Sequence, residues 1–389
     1  MQINESVFSY ELPTRIIYGK NSTAQVGAEI KKLGINSILI TTDKGIKEAG
    51  ILDPIVSSLD KENINYKIYD EVEADSGVLI VNEATKIAKN NNCDLIMGVG
   101  GGSSLDTAKA VAIMATNPGD NILDYAGLDK IKKDPLKIFA IPTTAGTGSE
   151  ATIWSVISNK DKNIKSGVGS MKIMPDVAIC DPLLTKSLPP HITAATGMDA
   201  LTHAIESYVN TAAQPISEAM AEKSISLISN NLRQAVANGD NIEARDNLLM
   251  GSLLAALAFN ETRLGIAHSI SSPLGAYYPI AHGLANAILL PNVMEYNIIG
   301  NPDKYKKIAQ LMGEDTTNLT EIDSAKKSVK AVLNLLKDIG LPTKLSDVID
   351  IKQDDLNKIV NESYQSGNNL VNPRKPTKEG LLKVIKNSI

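Results

Sequence analysis

In the stretch GMDALTHAIESY, residues 197–208, Asp199 and His203 stand at i and i+4. On a helix that spacing puts a carboxylate and an imidazole one turn apart on one face. Such a pair can hold a metal ion, or it can be an ordinary salt-bridged surface pair. The segment LGIAHSISSPLGAYYPIAHGLANAILLPNVMEYN, residues 264–297, bears on the choice. It carries His268 and, fourteen residues on, His282, both among small and apolar neighbours. Pro273, Gly275 and Pro279 lie between them and predict a broken helix, so that the chain folds back and brings both imidazoles to one point. A single buried imidazole is most often a hydrogen-bonded structural group. Three of the chain's four histidines gathered with one Asp are a different matter, and they define a candidate metal set of Asp199, His203, His268 and His282. The fourth, His191, falls in a Pro-rich linker and is left out. Mixed nitrogen and oxygen ligation suits Fe²⁺ and also Zn²⁺. One carboxylate and three imidazoles leave coordination positions open, as Lewis-acid chemistry requires.

A second chemistry is suggested by two loops. GVGGGSSLD (98–106) follows an apolar run and opens a helical pattern. Glycine lets backbone N–H groups approach phosphate oxygens, and the helix N-terminus favours an anion there. The sixth position of the loop is Ser103 rather than glycine, and a glycine cluster alone also reads as a tight strand-to-helix turn. IPTTAGTGSE (141–150) is a second small-residue, hydroxyl-rich loop after a strand, and the two together predict a dinucleotide crevice. Asp43 ends the first strong strand. It fits a carboxylate that accepts from a ribose 2′-hydroxyl, and equally a helix N-cap for KGIKEAG.

These groups need a scaffold. SILITTD (37–43), INYKIYDEV (64–72), CDLIMGVG (93–100), LKIFAIPTT (136–144) and DVAICDP (176–182) read as strands. AQVGAEIKKLG (24–34), 78–91 and 104–117 read as helices between them. Alternation of this kind predicts a parallel sheet covered on both faces. After LPPHIT (188–193) the Val/Ile runs thin out and helical patterns follow at 197–210, 214–237 and 245–259. The expected domains are therefore an α/β domain over 1–187 and an all-α domain over 188–389. At 43% hydrophobic and 21% charged residues, the 389-residue chain can build both cores. A net charge of −5 argues against nucleic acid or an acidic membrane as the main partner, and no apolar run reaches the length of a membrane span. Two cysteines in no motif, Cys93 and Cys180, fit a cytoplasmic location.

The ordered motifs PTRIIYGK (13–20), TTDKGIKEAGI (41–51), GGGSSLDTAKA (100–110), IPTTAGTGSEAT (141–152), PDVAICDP (175–182), TGMDALTHAIESY (196–208), AHGLANAILLPNVMEYN (281–297) and NPRKPT (372–377) run the length of the chain. By them it resembles the iron-containing alcohol dehydrogenases, a family that includes lactaldehyde reductases, propanediol dehydrogenases and butanol dehydrogenases. The resemblance implies a Rossmann-like N-terminal domain, a helical C-terminal domain with the metal in the cleft between them, and a homodimer or higher homo-oligomer. It implies that Asp199, His203, His268 and His282 are the metal ligands. It implies that Gly101, Gly102, Ser103 and Asp106 form the phosphate loop and that Thr143, Thr144 and Thr147 form a second cofactor loop. Asp43 matches the residue that favours NAD over NADP, Lys165 matches a lysine near the nicotinamide ribose, and Phe259 matches an aromatic of the substrate pocket.

The sequence departs from the family in three places. Ser272 stands where many members carry a second histidine, so that Ser272 with water relays the proton or the relay is lacking. Glu261 and Arg263 introduce unusual charges beside Phe259. Asp75 replaces an Asn that would touch the cofactor. The expected activity is an NAD-linked, metal-dependent alcohol dehydrogenase or aldehyde reductase for small primary alcohols or short aldehydes. Two alternatives accompany it: a reductase for an anionic short aldehyde gripped by Arg263, and a dehydroquinate-synthase-like lyase.

Overall fold

The computed structural model describes residues 7–159 and 164–389, which fall into two compact units. One unit spans Leu12–Ser187. The other begins at Leu188 and runs to the C-terminus, and the described residues ahead of Leu12 group with it.

The first unit is built on a six-stranded parallel sheet. Its strands are β1 (Arg15–Tyr18), β2 (Ser37–Thr41), β3 (Asn65–Tyr69), β4 (Leu95–Gly100), β6 (Lys137–Pro142) and β9 (Val177–Cys180), in the order β1-β9-β6-β4-β2-β3. Successive side chains point to opposite faces of a strand. Accordingly Ile38, Ile40, Leu95, Met97 and Val99 enter one core with α1 (Val26–Lys32) and α3 (Asp53–Lys61), which contribute Ile30, Ile55 and Leu59. Leu39, Ile96 and Ile138 enter the other core with α4 (Val78–Asn90) and α5 (Gly102–Thr116), which contribute Val81, Ala108 and Val111. Burying a side chain of this size contributes about 1.5–3 kcal/mol, which explains why the strands read as continuous apolar runs. The short helix α2 is Lys44–Glu48. A second, three-stranded sheet pairs β5 (Gly127–Leu128) with β8 (Ile164–Gly169), and β8 with β7 (Trp154–Asn159).

From β2 the chain proceeds outward to β3 and then returns to β4 on the other side of β2. The strand order therefore reverses between β2 and β4, the place where open α/β sheets form a ligand crevice. Asp43 follows β2 there, and Gly101–Ser103 follows β4.

Every element of the second unit is helical among the described residues: α6 (Pro190–Val209), α7 (Pro215–Ala237), α8 (Ile242–Thr262), α9 (Ile266–Tyr277), α10 (His282–Asn297), α11 (Pro302–Leu311), α12 (Glu321–Asp338), α13 (Gln353–Gln365) and α14 (Lys378–Ser388), besides short 3₁₀ turns. Ile270, Leu274, Ile288, Leu289, Ile359 and Leu381 tie α9, α10, α13 and α14 into one core. None of the described helices is long and apolar enough to cross a membrane.

Two expectations about this half need correction. His191 lies in the first turn of α6 rather than in a linker, because Pro190 occupies the first helical position, where its missing N–H costs nothing. Pro273 and Gly275 do not break the chain between His268 and His282. Both sit inside α9, which loses one i→i−4 bond at Pro273 and continues to Tyr277. The reversal comes at residues 278–281, around Pro279.

Candidate metal centre

Helix α6 is buried along most of its length, and Asp199 and His203 both point inward, with 4% and 5% of their surfaces exposed. The Asp199 carboxylate and the His203 imidazole do not form a salt bridge of ordinary closeness: Oδ1 and Nε2 are 4.0 Å apart. That spacing leaves room between them. His268 arrives from the first turns of α9, its Nε2 3.8 Å from the same Oδ1, and its ring stacks on that of His203 with centroids 4.7 Å apart. His282, the first residue of α10, completes the group, its ring edge-on to that of His268 at 5.3 Å. Ligand atoms of Asp199, His268 and His282 lie within 4.8 Å of one another. The Phe259 ring lies against that of His203, with centroids 4.6 Å apart.

The electrostatics suit a cation. Burial pushes the Asp199 carboxyl up, but the three imidazoles and a hydrogen bond from Asn286 outweigh it and hold the group below the usual carboxylate range. Burial is the main cause that lowers the His203 imidazole to about 4. Both groups are thus in the states that metal binding requires, ionised carboxylate and neutral imidazole.

Two residues that the sequence did not mark complete the cluster. Glu206 follows His203 by three positions on the same face of α6, and its Oε2 lies 2.6 Å from His268 Nδ1. Asn286 follows His282 by one turn of α10. Its amide nitrogen is 2.7 Å from Asp199 Oδ1, 2.9 Å from His268 Nε2 and 3.2 Å from His282 Nε2. Three acceptors therefore converge on one amide that has only two hydrogens to give. The Asn286 carbonyl oxygen, for its part, is buried without a hydrogen-bond partner. A divalent cation at this point would satisfy the acceptors together, so the donor set fits a metal of the Fe²⁺ or Zn²⁺ type. The clue in the sequence was the i, i+3 or i, i+4 spacing of each polar residue from a ligand on the same helix.

The two loops expected to hold a dinucleotide lie in the other unit. Gly101 caps α5 and Thr143 N donates to Gly100 O at 3.0 Å, so the two loops run side by side at the C-terminal ends of β4 and β6. Their contact is closest at Gly102, where a Cβ would meet the Thr147 methyl at 2.8 Å; Gly101 would approach the Thr144 methyl at 3.3 Å. The Thr143 hydroxyl is buried with no partner, as the donor or acceptor for a ligand would be. Asp43 fulfils the capping reading. Its Oδ1 accepts from Ile46 N at 3.0 Å and caps α2, while Oδ2 faces Gly100. Asp75 donates its N–H to Ser103 Oγ at 3.1 Å and its carboxylate pairs with Lys165 Nζ at 2.7 Å, so Lys165 is linked to the glycine loop through Asp75.

Asp106 acts as a brace between the loops. Its two oxygens accept from Ser149 Oγ at 2.6 Å and Val156 N at 3.0 Å. One turn on, the fully buried Lys109 ammonium donates to the carbonyls of Ser149, Thr152 and Trp154 at 2.7–2.8 Å. Burial pushes Lys109 down to about 8, against the pull of Asp106 and Glu150.

Ser272 lies one turn beyond His268 on α9 and is exposed. Arg263 ends α8 with φ at 64° and is exposed, its guanidinium alongside Gly367. Glu261 is pushed up by burial first, and Glu11 adds to the effect.

Residues 13–182 match the family described as iron-containing alcohol dehydrogenase, and residues 193–389 match the C-terminal part described for the Fe-containing alcohol dehydrogenase family. The chain belongs to the iron-containing alcohol dehydrogenase family. This iron-containing alcohol dehydrogenase is 40% identical over 382 residues to the 1,3-propanediol dehydrogenase of Klebsiella pneumoniae, with 98% of each chain covered. It is similar to the crystal structure of a 1,3-propanediol oxidoreductase, with a TM-score of 0.96 at 39% identity over 99% of this chain and 100% of that one. The NADH-dependent butanol dehydrogenase A of Thermotoga maritima gives a TM-score of 0.89 at 31% identity, with both chains fully covered. The α/β plus helical architecture is the family's, and the protein is an alcohol oxidoreductase. The lyase alternative is set aside by this membership.

Proposed function

We propose that the protein is an NAD(H)-dependent, metal-dependent alcohol dehydrogenase or aldehyde reductase for small primary alcohols or short neutral aldehydes. The observation that carries the reading is the convergence of Asp199 Oδ1, His268 Nε2 and His282 Nε2 on a point that one two-hydrogen amide cannot satisfy. Asp199, His203, His268 and His282 would hold Fe²⁺, or Zn²⁺ in its place. When bound, the ion supplies Lewis-acid polarisation of the substrate oxygen. A bound nicotinamide would supply or take the hydride, and the protein's task would be to orient it.

The chain's own residues do the rest. Phe259, packed on His203, keeps water from that face of the imidazole. Ser272 is the hydroxyl we assign to pass the substrate proton to solvent, since it is exposed one turn from His268. The α5 N-terminus with Gly101, Gly102 and Ser103 holds the pyrophosphate, and Thr143, Thr144 and Thr147 line its other side. Asp43 Oδ2 accepts from the ribose 2′-hydroxyl and repels a 2′-phosphate. Lys165, which pairs with Asp75, would help to hold the nicotinamide ribose. Arg263 is turned toward Gly367, so the anionic-substrate alternative gains no support from its position. The working form is a homodimer or larger homo-oligomer.

The test is a panel of short aldehydes, neutral against anionic, assayed with NADH and NADPH in anaerobic Fe²⁺ and again after chelation. Steady NADH oxidation with neutral members and loss on chelation are expected. Turnover unaffected by chelation, or none with any aldehyde or alcohol, would overturn the reading.

A further inference from the structure

Helix α9 begins without a capping side chain of its own. Its N-cap is Gly265, which has none to offer. The cap comes instead from α6, with Asn372 Oδ1 accepting from Ile266 N at 3.4 Å beside it. Glu206 Oε2 accepts from Gly265 N at 2.9 Å and Oε1 accepts from Ala267 N at 2.7 Å. A carboxylate is well placed at this end of a helix, where N–H groups lack intrahelical partners. The approach is close enough that a Cβ on Gly265 would meet Glu206 Oε1 at 2.7 Å.

The same Oε2 also faces His268 Nδ1 at 2.6 Å. Both Glu206 oxygens already serve as acceptors for backbone N–H groups, and this geometry puts the ring proton on Nδ1 and leaves Nε2 its lone pair. From the other side, the Asn286 amide nitrogen stands 2.9 Å from Nε2 and has only protons to offer it. Glu206 itself is buried, with 3% of its surface exposed.

We propose that Glu206 is a positioning residue for the metal site: it locks His268 in the Nδ1–H form, aims Nε2 at the Asp199–His282 point, and fixes the start of α9 that carries the ligand. This rests on the metal reading given above. Outer carboxylates of this kind are worth about 10–100-fold in metal affinity.

Two measurements test it. The first uses the full-length metal-free wild-type protein, ¹⁵N-labelled at histidine; with four histidines in the chain, a His268→Ala comparison spectrum assigns the resonance. His268 is expected with Nδ1 protonated and Nε2 bare, and a protonated Nε2 overturns the proposal. The second compares Zn²⁺ affinity in wild type and Glu206→Gln by competition with a chromophoric chelator. Glutamine has one acceptor oxygen for three donors, so affinity is expected to fall about 10–100-fold and His268 to show mixed tautomers. If Glu206 merely caps α9, the variant loses thermal stability but keeps the tautomer and the affinity, and the proposal fails. If Glu206→Gln does not fold, the wild-type spectrum decides. A wild type that takes up no Zn²⁺ and no Fe²⁺ brings down the metal reading instead, and the tautomer spectrum still judges Glu206.

Discussion

Gly283 is next to His282, one of the residues proposed to hold the metal, which makes Gly283→Ala a demanding test of how that set is held. The N-terminal turn of α10 crosses α6 at this point with only a hydrogen between them. A Cβ at Gly283 would lie 2.5 Å from Ala195 O, 3.1 Å from Ala195 C and 3.2 Å from Asp199 Cβ. Ordinary carbon contacts begin near 3.5 Å, so the two helices must separate by roughly 0.7–1 Å. None of the three obstructing atoms is at the end of a flexible side chain: two belong to the α6 backbone, and the third is the Cβ of Asp199. Resisting the separation costs about 1–3 kcal/mol of overpacking strain. For a unit of this size that lowers the melting midpoint by about 2–4 °C per kcal/mol. Yielding to it carries His282 away from Asp199 by several times the roughly 0.2 Å within which metal–ligand distances are held. The expected outcome is a lower midpoint of the metal-free protein, at least tenfold weaker Fe²⁺ or Zn²⁺ binding, or both. Calorimetry of the metal-free protein and chelator competition read the two separately. A Gly283→Ala protein with unchanged midpoint and unchanged metal affinity would refute the packing argument.

Three other outcomes are expected. His268→Ala and His282→Ala should each lose bound metal and nearly all turnover while retaining the helical circular dichroism of the wild type; full metal content in either would remove that residue from the ligand set. Asp43→Ser should narrow the preference for NADH over NADPH without loosening α2, because serine caps a helix about as well as aspartate but carries no charge to repel a 2′-phosphate; an unchanged cofactor ratio would leave Asp43 with its cap alone. The third concerns acid. His203 is lowered to about 4 in the folded chain, chiefly by burial, while an unfolded histidine titrates near 6.5. Between these values the unfolded state binds more protons, so the metal-free protein should lose stability as pH falls through that window, by up to about 3 kcal/mol, and flatten below it. Asp199, held below its ordinary value, adds loss of the same sign at lower pH. Urea unfolding of wild type against His203→Gln, from pH 7 to pH 4, isolates the histidine; identical slopes would contradict the burial argument.

What the sequence revealed depended on how local the signal was. The strands β2, β4 and β6 were readable because burial on both faces makes each an unbroken apolar run. The four residues of β1 and the β7–β8 pair were not picked out as strands, the first being short and partly exposed and the second alternating at the surface. The i, i+4 spacing announced Asp199 and His203, and scarcity singled out His268 and His282. Glu206 and Asn286 passed unnoticed because a lone Glu or Asn on a helix has no meaning until α6, α9 and α10 are packed together. Proline was over-read at Pro273 and under-read at Pro190; position within the helix decides its effect.

All the residues assigned to the metal, Glu206 and Asn286 included, come from the unit that begins at Leu188, and all those assigned to the dinucleotide come from Leu12–Ser187. Loading of the two is thus written into different stretches of chain. A preparation stripped of its ion by air or chelator should still elute from a nucleotide-affinity matrix with the intact enzyme and keep full dinucleotide stoichiometry. Its specific activity would then count filled metal sites, not correctly folded molecules, and a weak assay with any candidate substrate would first have to be divided by metal occupancy before it said anything about specificity.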